Sequence, residues 1–496
     1  MAKDKTPTYT LERELLVDSH ETKIIKRNME IGRQIYNAVL GEALKRLHKV
    51  QADPAYRETV RSIQALKETK TRDEEKEKSR LSKLAKDIER SYGYSEFQMH
   101  TYATDIRRHF GSQLDANEVQ KLATRAFKAV GKLHYHKADK VHFKKAGEYP
   151  SIENKSNKQG LRWKKGRVVW GKLSMELCRI RKKDDYAWAA MDEIEKGNLK
   201  YLRIVSKVIR GKERFFVQFV IKGVPPENGH KQNPGSVGLD IGPSTVAIVT
   251  NSHAELRELA EGITSDAKEL RRIERAMDRS KRATNPDNYN KNGTPKKGRR
   301  QWNYSKRYSK LKTKRKEINR QIAAKRKQSH EILANKILAL GDNIKVETMR
   351  FQGLQKRAKK TTRNRKNGKI NKKKRFGKSI ANHAPAMFLT ILERKLAYKN
   401  KALHQADTFT MKASQFNHIT GEYQKKLLSD RWNDLGGHKI QRDLYSAFLI
   451  NNANPDLATI NVSACEEQWQ SFVILHDAEI QRIRTNGPKT LKHQIA

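Results

Sequence analysis

Cysteine is almost missing from this chain: Cys178 and Cys465 are the only two among 496 residues. Two thiols exclude a disulfide framework and a four-cysteine zinc site, and they fit a reducing compartment. No apolar run approaches the roughly 20 residues that cross a bilayer. The first residues, Met-Ala-Lys-Asp-Lys-Thr-Pro, lack the apolar core of a signal peptide. The expectation is a soluble cytoplasmic protein with no membrane partner. Acids are scarce too, 55 Asp and Glu against 105 Lys and Arg, for a formal charge of +50. Such an excess marks a partner rich in phosphate, because each neutralised phosphate releases condensed counterions. A ribosomal or histone-like tail protein has the same charge, but here 36% of residues are hydrophobic and periodic apolar segments run nearly end to end. A sizeable core, in about three domains, is expected.

Residues 8–17 read as a strand. From about residue 20 the period lengthens, with Ile31, Ile35 and Val39 on one stripe and Leu40, Leu44 and Leu47 beside it, so a long amphipathic helix is predicted. A second, densely charged helix is predicted over 55–91, with two more near 95–111 and 116–135. From about 140 to 222 short β-rich runs separated by Gly and Lys predict a small antiparallel barrel or sheet. Residues 223–235, rich in Pro and Gly, read as a linker. A basic helical hairpin is expected next, with a flexible tip from Asn285 to Arg300. Residues 356–378 hold thirteen Lys and Arg and no acid, a stretch that orders only against phosphate.

Three acids stand apart from this basic background. Asp240 lies in the apolar strand Ser236-Val-Gly-Leu-Asp240, Glu347 ends Asn343-Ile-Lys-Val-Glu347, and Asp443 opens the helical run Arg442-Asp-Leu-Tyr-Ser-Ala-Phe-Leu-Ile450. A lone acid in so basic a protein is usually solvated or salt-bridged. Burying an unpaired carboxylate costs several kcal/mol, however, and a bound metal is a good reason to keep one in an apolar strand. Two-metal phosphodiester hydrolysis needs carboxylates converging on ions about 4 Å apart, one activating water and the other stabilising the leaving oxygen.

At these residues the chain resembles the TnpB family of RNA-guided nucleases and the compact type V CRISPR effectors. Gly238-Leu-Asp-Ile-Gly, Ile344-Lys-Val-Glu and Arg442-Asp-Leu-Tyr-Ser-Ala resemble the three RuvC nuclease motifs, and Ile35-Tyr36-Asn37 and the basic hairpin are weaker echoes. The resemblance implies a bilobed α+β multidomain protein. A wedge-like β-barrel (1–17 and 135–232) would be interrupted by a helical recognition lobe (18–134). An RNase H-like RuvC α/β domain (233–405 and 438–465) would carry a small target-binding insert (406–437), followed by a C-terminal extension (466–496). It also implies that Asp240, Glu347 and Asp443 are catalytic ligands of two Mg²⁺ ions, with Mn²⁺ as the alternative. The partners would be a guide RNA and double-stranded target DNA, inside a prokaryotic cell, with the heteroduplex read by shape in a basic channel. Whether the protein is a monomer or a dimer, and whether its guide derives from a transposon end or a CRISPR array, stays open.

One departure concerns the four-cysteine ribbon that precedes the third motif in that family. Asn417, Thr420, Asn433 and Gly436 stand where its cysteines would be, and these are poor zinc ligands. A zinc-free remnant is expected, with His418 and His438 read as surface histidines. For nucleic-acid contacts the candidates are Arg299, Arg300, Tyr304, Arg307, Lys314 and Arg315 on the hairpin. Lys359, Lys360, Arg363, Arg365, Lys366, Lys373, Lys374 and Arg375 are candidates in the basic run. Tyr308 is a further stacking candidate, whereas Trp163 and Trp170 read as strand core. Residues 466–496 suggest a short packed helix using Trp469, Phe472, Ile474 and Leu475, frayed after Arg482. The activity implied is RNA-guided, Mg²⁺-dependent cleavage of double-stranded DNA. The rivals are a guided repressor that binds without cutting, and an RNase H-like transposase, which would place glutamate last among the three acids.

Overall fold

The computed structural model describes residues 6–66, 71–226, 232–263, 266–357, 361–363, 368, 376–425 and 430–495. The chain forms two compact units, Met1–Pro226 and Glu227–Ala496. It is a mixed α+β protein.

In the first unit, strand β1 (Thr8–Leu16) leads into α1 (Ser19–Ala52). Asp18 starts α1 through a capping box, accepting from the Glu21 N–H at 2.7 Å while the Glu21 carboxylate accepts from Asp18 N–H at 3.0 Å. Ile31, Ile35, Val39, Leu40 and Leu47 are buried along it, as their spacing predicts. The single helix expected over 55–91 is instead two, α2 (Pro54–Ala65) and α3 (Arg72–Ser91). Asp53 caps the first and Thr71 opens the second with a capping box to Glu74. The Thr-x-x-Glu pattern was legible, but the charged period on either side of it masked the break. Helices α4 (Glu96–His109) and α5 (Ala116–His134) complete the helical set.

Six strands follow: β2 (Ser151–Glu153), β3 (Arg162–Lys164), β4 (Arg167–Trp170), β5 (Leu173–Leu177), and, after helix α6 (Asp185–Glu193), β6 (Leu199–Ile209) and β7 (Lys212–Lys222). They join β1 in one curled sheet of order β2-β6-β7-β1-β5-β4-β3, with antiparallel pairing throughout. The N-terminal strand is central, so the chain leaves the sheet after β1, builds five helices and returns. Helix α6 was not anticipated within the β-rich stretch; Asp184 caps it, accepting from Ala187 N–H at 3.1 Å. Trp170 is buried core, and Trp163 packs edge-on against Phe219 while its indole N–H donates to Glu195.

The second unit opens with β8 (Ser236–Ile241), β9 (Thr245–Thr250) and β10 (His253–Glu258). Helices α7 (Asp266–Thr284) and α8 (Lys306–Leu340) precede β11 (Asn343–Glu347), followed by α9 (Phe351–Gln355), α10 (Gly377–His383), α11 (Pro385–Ala397) and β12 (His404–Ala406). Two hairpins come next, β13 (Phe416–Asn417) with β14 (Glu422–Tyr423), and β15 (Trp432–Leu435) with β16 (His438–Gln441). Helices α12 (Arg442–Asn451), α13 (Val462–Asn486) and α14 (Lys489–Ile495) end the chain.

The central sheet has the order β10-β9-β8-β11-β12. Strands β8, β9 and β10 are antiparallel, whereas β11 runs parallel to both β8 and β12. Strand period 2 divides it cleanly. Val237, Leu239, Ile344 and Val346 pack on one face against Leu333 and Ile337 of α8 and Phe388 and Leu392 of α11. Ala247, Val249 and Ala406 pack on the other against α12 and α13. The C-terminal segment is therefore no frayed extension. Helix α13 reaches Asn486, Trp469 and Phe472 are in the α12 core, and Glu479 accepts from the backbone of Leu256 at 2.8 Å. Ile474, by contrast, is 70% exposed rather than packed. Among the described residues no helix is long and apolar enough to cross a membrane.

Candidate active site

Asp240, Glu347 and Asp443 come from three elements and share one face of the sheet. Asp240 follows Gly238 by two residues and so faces α12 as Gly238 does. That glycine lies so close to α12 that a Cβ on it would stand 2.1 Å from the Ala447 carbonyl oxygen and 2.4 Å from the Asn451 nitrogen. Asp443, one helical turn before Ala447, is thereby carried toward the C-terminal end of β8. The β8–β11 register pairs Leu239 with Val346, and continuing it by one residue sets Glu347 beside Asp240. Lys345, on the same face as Glu347, ties α12 down by donating to the carbonyls of Asn451 and Ala453, both at 2.9 Å.

Their electrostatics agree with that placement. The Asp240 carboxyl is pushed well above the usual carboxylate range, first by burial and then by the charges of Asp443 and Glu347. Burial also raises Glu347, offset in part by the Ala413 N–H that donates to its Oε1 at 3.1 Å. Asp443 is held by two cations: Arg442 donates to Oδ1 at 3.1 Å, and Arg431 stands 3.9 Å from Oδ2. Among the described residues, no group of three or more His, Cys, Asp or Glu, the three acids included, stands close enough together to hold a metal ion as placed. The donor set is of the type that suits a divalent cation: hard carboxylates, half-buried, with Asp240 repelled by the other two.

Sequence reasoning missed the supports of this site. Gln441 is fully buried, its side chain caps α12 by accepting from Leu444 N–H at 2.8 Å, and its own N–H donates to His476 Nε2 at 2.9 Å. The arginines that hold Asp443 were also missed, although Arg442 adjoins it in the third motif.

No family model and no curated protein matches the chain. Among solved structures, the cryo-EM structure of a Cas12f1–sgRNA–target DNA complex aligns over 91% of this chain and 99% of its own. The identity is 13% and the TM-score 0.47. A cryo-EM CRISPR-Cas12f ternary complex aligns over 90% and 99%, at 12% identity and a TM-score of 0.23. Likeness at this level establishes neither family nor activity.

The two hairpins before α12 carry Asn417, Thr420, Asn433 and Gly436. A Cβ on Gly436, in the second, would lie 3.2 Å from the Ile419 Cδ1 of the first, so apolar contact joins them. His418 is not a surface residue. It is 2% exposed, packs against Tyr445 and Trp469, and pairs through Nδ1 with the Tyr445 hydroxyl at 2.7 Å. His438 lies half-buried with its ring centroid 6.2 Å from that of Trp469. Burial lowers the His418 pKa to about 4. The unfolded chain then takes up a proton below about pH 6.5 that the folded state refuses, so stability is lost as pH falls from there toward 4. The loss should reach about 3 kcal/mol. Urea unfolding of the wild type and His418→Phe across this range should show the flatter profile in the variant; equal slopes would remove His418 from the account.

The hairpin candidates separate into two groups. Lys314 pairs with Glu269 at 2.8 Å and Arg315 with Glu274 at 3.2 Å, so both brace α8 against α7. Arg299, Arg300 and Arg307 are exposed, and Tyr304, 51% exposed, stacks on Tyr308 at 4.5 Å. Tyr308 belongs partly to the hairpin core of Ile273, Met277 and Ile318, which was not foreseen. The tip is built rather than loose. Asn285, 6% exposed, donates to the carbonyls of Lys281 and Asn303 at 2.8 Å and accepts from Asn303 N–H at 2.7 Å. In the basic run Arg363 is exposed, while Lys359, Lys360, Arg365, Lys366, Lys373, Lys374 and Arg375 lie outside the described residues.

Proposed function

We propose that this protein is an RNA-guided, Mg²⁺-dependent endonuclease that cuts double-stranded DNA at one RuvC-type site. The observation that carries the reading is the Asp240 carboxyl, half-buried beside β11 and α12 and raised first by desolvation there and then by the charges of Asp443 and Glu347. The sheet supports it: the acids lie at the ends of two adjacent parallel strands and at the start of a helix packed across them. The formal charge of +50 suits a nucleic-acid substrate. The guide RNA and the duplex target come from the TnpB-like motifs.

Asp240, Glu347 and Asp443 would hold the metal ions, which supply an acidified water and charge stabilisation at the leaving oxygen. The chain's own part is positioning. Gln441 and Lys345 fix both ends of α12, and with it Asp443. Arg442 and Arg431 are placed to exchange their hold on Asp443 for the phosphate of a bound strand, since guanidinium groups pair with either oxyanion. That same arginine pairing favours a second reading, guided DNA binding without cleavage, in which Asp443 stays latched.

The test is plasmid cleavage by protein purified with its co-expressed native RNA, with and without Mg²⁺. Cutting that requires both RNA and metal is expected. RNA-dependent binding of the target with an intact plasmid would instead leave the binding-only reading.

A further inference from the structure

The loop after β12 carries a side chain that neither the core nor the reading above uses. Phe409 is 79% exposed, the most open large hydrophobic residue among those described. Single apolar side chains are ordinary on a protein surface, so the weight falls on where this one stands.

Strands β8 and β12 both run parallel to β11, so Asp240, Glu347 and the chain beyond Ala406 leave the sheet at one edge. Open α/β sheets hold their ligands at that edge, outside the carboxyl ends of the parallel strands. Glu347 pairs with Ala406 across the ladder, and the Thr348 N–H donates to the Ala406 carbonyl at 2.9 Å. The Thr408 hydroxyl donates to the Thr348 carbonyl, which ties the two chains together one residue beyond Glu347. The next residue on each chain is apolar and open, Met349 at 37% and Phe409 at 79%. The loop then turns onto the face of the three acids. Met411 and Ala413 are buried in the α12 core, and the Ala413 N–H donates to Glu347 Oε1 at 3.1 Å. Phe409 is thus bracketed by one anchor on Thr348 and another on Glu347 itself.

Hydrogen bonds also fix the loop backbone. The Asp407 carboxylate accepts from the Phe409 N–H at 2.8 Å, and the Asp407 carbonyl accepts from the N–H groups of Thr410 and Met411 at 3.2 and 3.0 Å. The polar neighbours Thr408, Thr410 and Lys412 are all exposed and offer the ring no apolar cover. An aromatic side chain on a fixed backbone has few torsions left to settle, so ordering it against a flat partner costs little.

We propose that Phe409 stacks on a base of the strand being cut, next to the scissile phosphate, and so holds that phosphate over the three acids. The inference rests on the nuclease reading above and makes Phe409 a positioning residue, with no part in the bond-breaking step. Every base presents a π-face, so the contact is indifferent to sequence. Such indifference suits a site whose target is chosen elsewhere, by pairing with a guide.

The test uses the RNA-loaded full chain on its target duplex, with 2-aminopurine placed in turn along each strand and Ca²⁺ replacing Mg²⁺ to keep the strands whole. Stacking quenches this base. A position beside the cut made in Mg²⁺ should be quenched by the wild type and by Phe409→Trp, and should stay bright with Phe409→Ala and Phe409→Leu. In Mg²⁺, Phe409→Ala should cut about 10-fold more slowly at unchanged target affinity. An abasic nucleotide at the quenched position should slow the wild type by about 10-fold but the alanine variant by less than about twofold, since both changes delete one contact. Quenching that Phe409→Ala leaves unchanged would overturn the proposal. So would a leucine variant as fast as the wild type, or additive losses from the variant and the abasic strand. A wild type that never cuts would remove the nuclease reading instead, and the quenching alone would then decide the stacking.

Discussion

Asp240→Asn in the RNA-loaded protein should lower Mg²⁺-dependent plasmid cleavage by about 10³-fold, roughly 4 kcal/mol in the barrier, and leave target binding within about twofold. The substitution keeps the shape of the side chain and removes its charge, so the strand and the helix across it should persist. Burial and the two neighbouring carboxylates already make this acid reluctant to ionise. The metal-free variant should therefore be at least as stable as the wild type near neutral pH, while gaining less from added Mg²⁺ in a thermal melt. Paired melts with and without Mg²⁺, beside the cleavage assay, distinguish a metal ligand from a structural acid. A variant that cuts at the wild-type rate would end the nuclease assignment at this site.

The second large effect is structural and concerns Gly238→Ala. The added Cβ would meet the Ala447 carbonyl oxygen at 2.1 Å and the Asn451 nitrogen at 2.4 Å. Both are backbone atoms of α12, one in its middle and one in its last residue, and neither can rotate away. Helix α12 must lift from β8 or the strand must bend, and either motion opens the core of Ala447, Phe448 and Val249. A loss of about 3 kcal/mol is expected, the upper end of the range for overpacked cores, because the clash is with backbone. Asp443 would move with α12, so activity should fall as well. Gly242→Ala is the control: the nearest atom there is the Thr245 Oγ1 at 3.2 Å, a side-chain atom rather than backbone. That variant should stay within about 1 kcal/mol of the wild type. Denaturant unfolding of the two variants reads the difference. Similar midpoints would mean that α12 does not rest on Gly238.

The two variants probe one arrangement from opposite sides. Asp240 supplies charge and Gly238, two residues earlier on the same face, supplies the close approach that brings Asp443 to it. The flanking valine and leucine face the opposite core, so a single strand of six residues serves two faces with different chemistry.

Much of this was determined by sequence alone. The alternation around Asp240 and the four-residue stripe of α1 are local periodicities, and they specify strand and helix wherever the chain puts them. The net charge and the three acids in order were equally legible, because composition and motif do not depend on packing. The tertiary structure decided the rest. Sequence could not tell that Lys314 and Arg315 face α7 acids while Arg299 and Arg307 face solvent, since all four are cations in one basic stretch and only the partner helix separates them. Nor could it place His418, whose polarity reads as surface until an aromatic shell from α12 and α13 closes over it. The residues after Arg482 read as a frayed end because what anchors this helix, Glu479 and Arg482 on the backbone of Leu256 in β10, lies more than 200 positions upstream. The holds of His476 on Gln441 and of Lys345 on the end of α12 exist only once distant segments meet. Periodicity is written in neighbours along the chain; electrostatic partners and cavities are made between elements, where burial and distance are set by the fold.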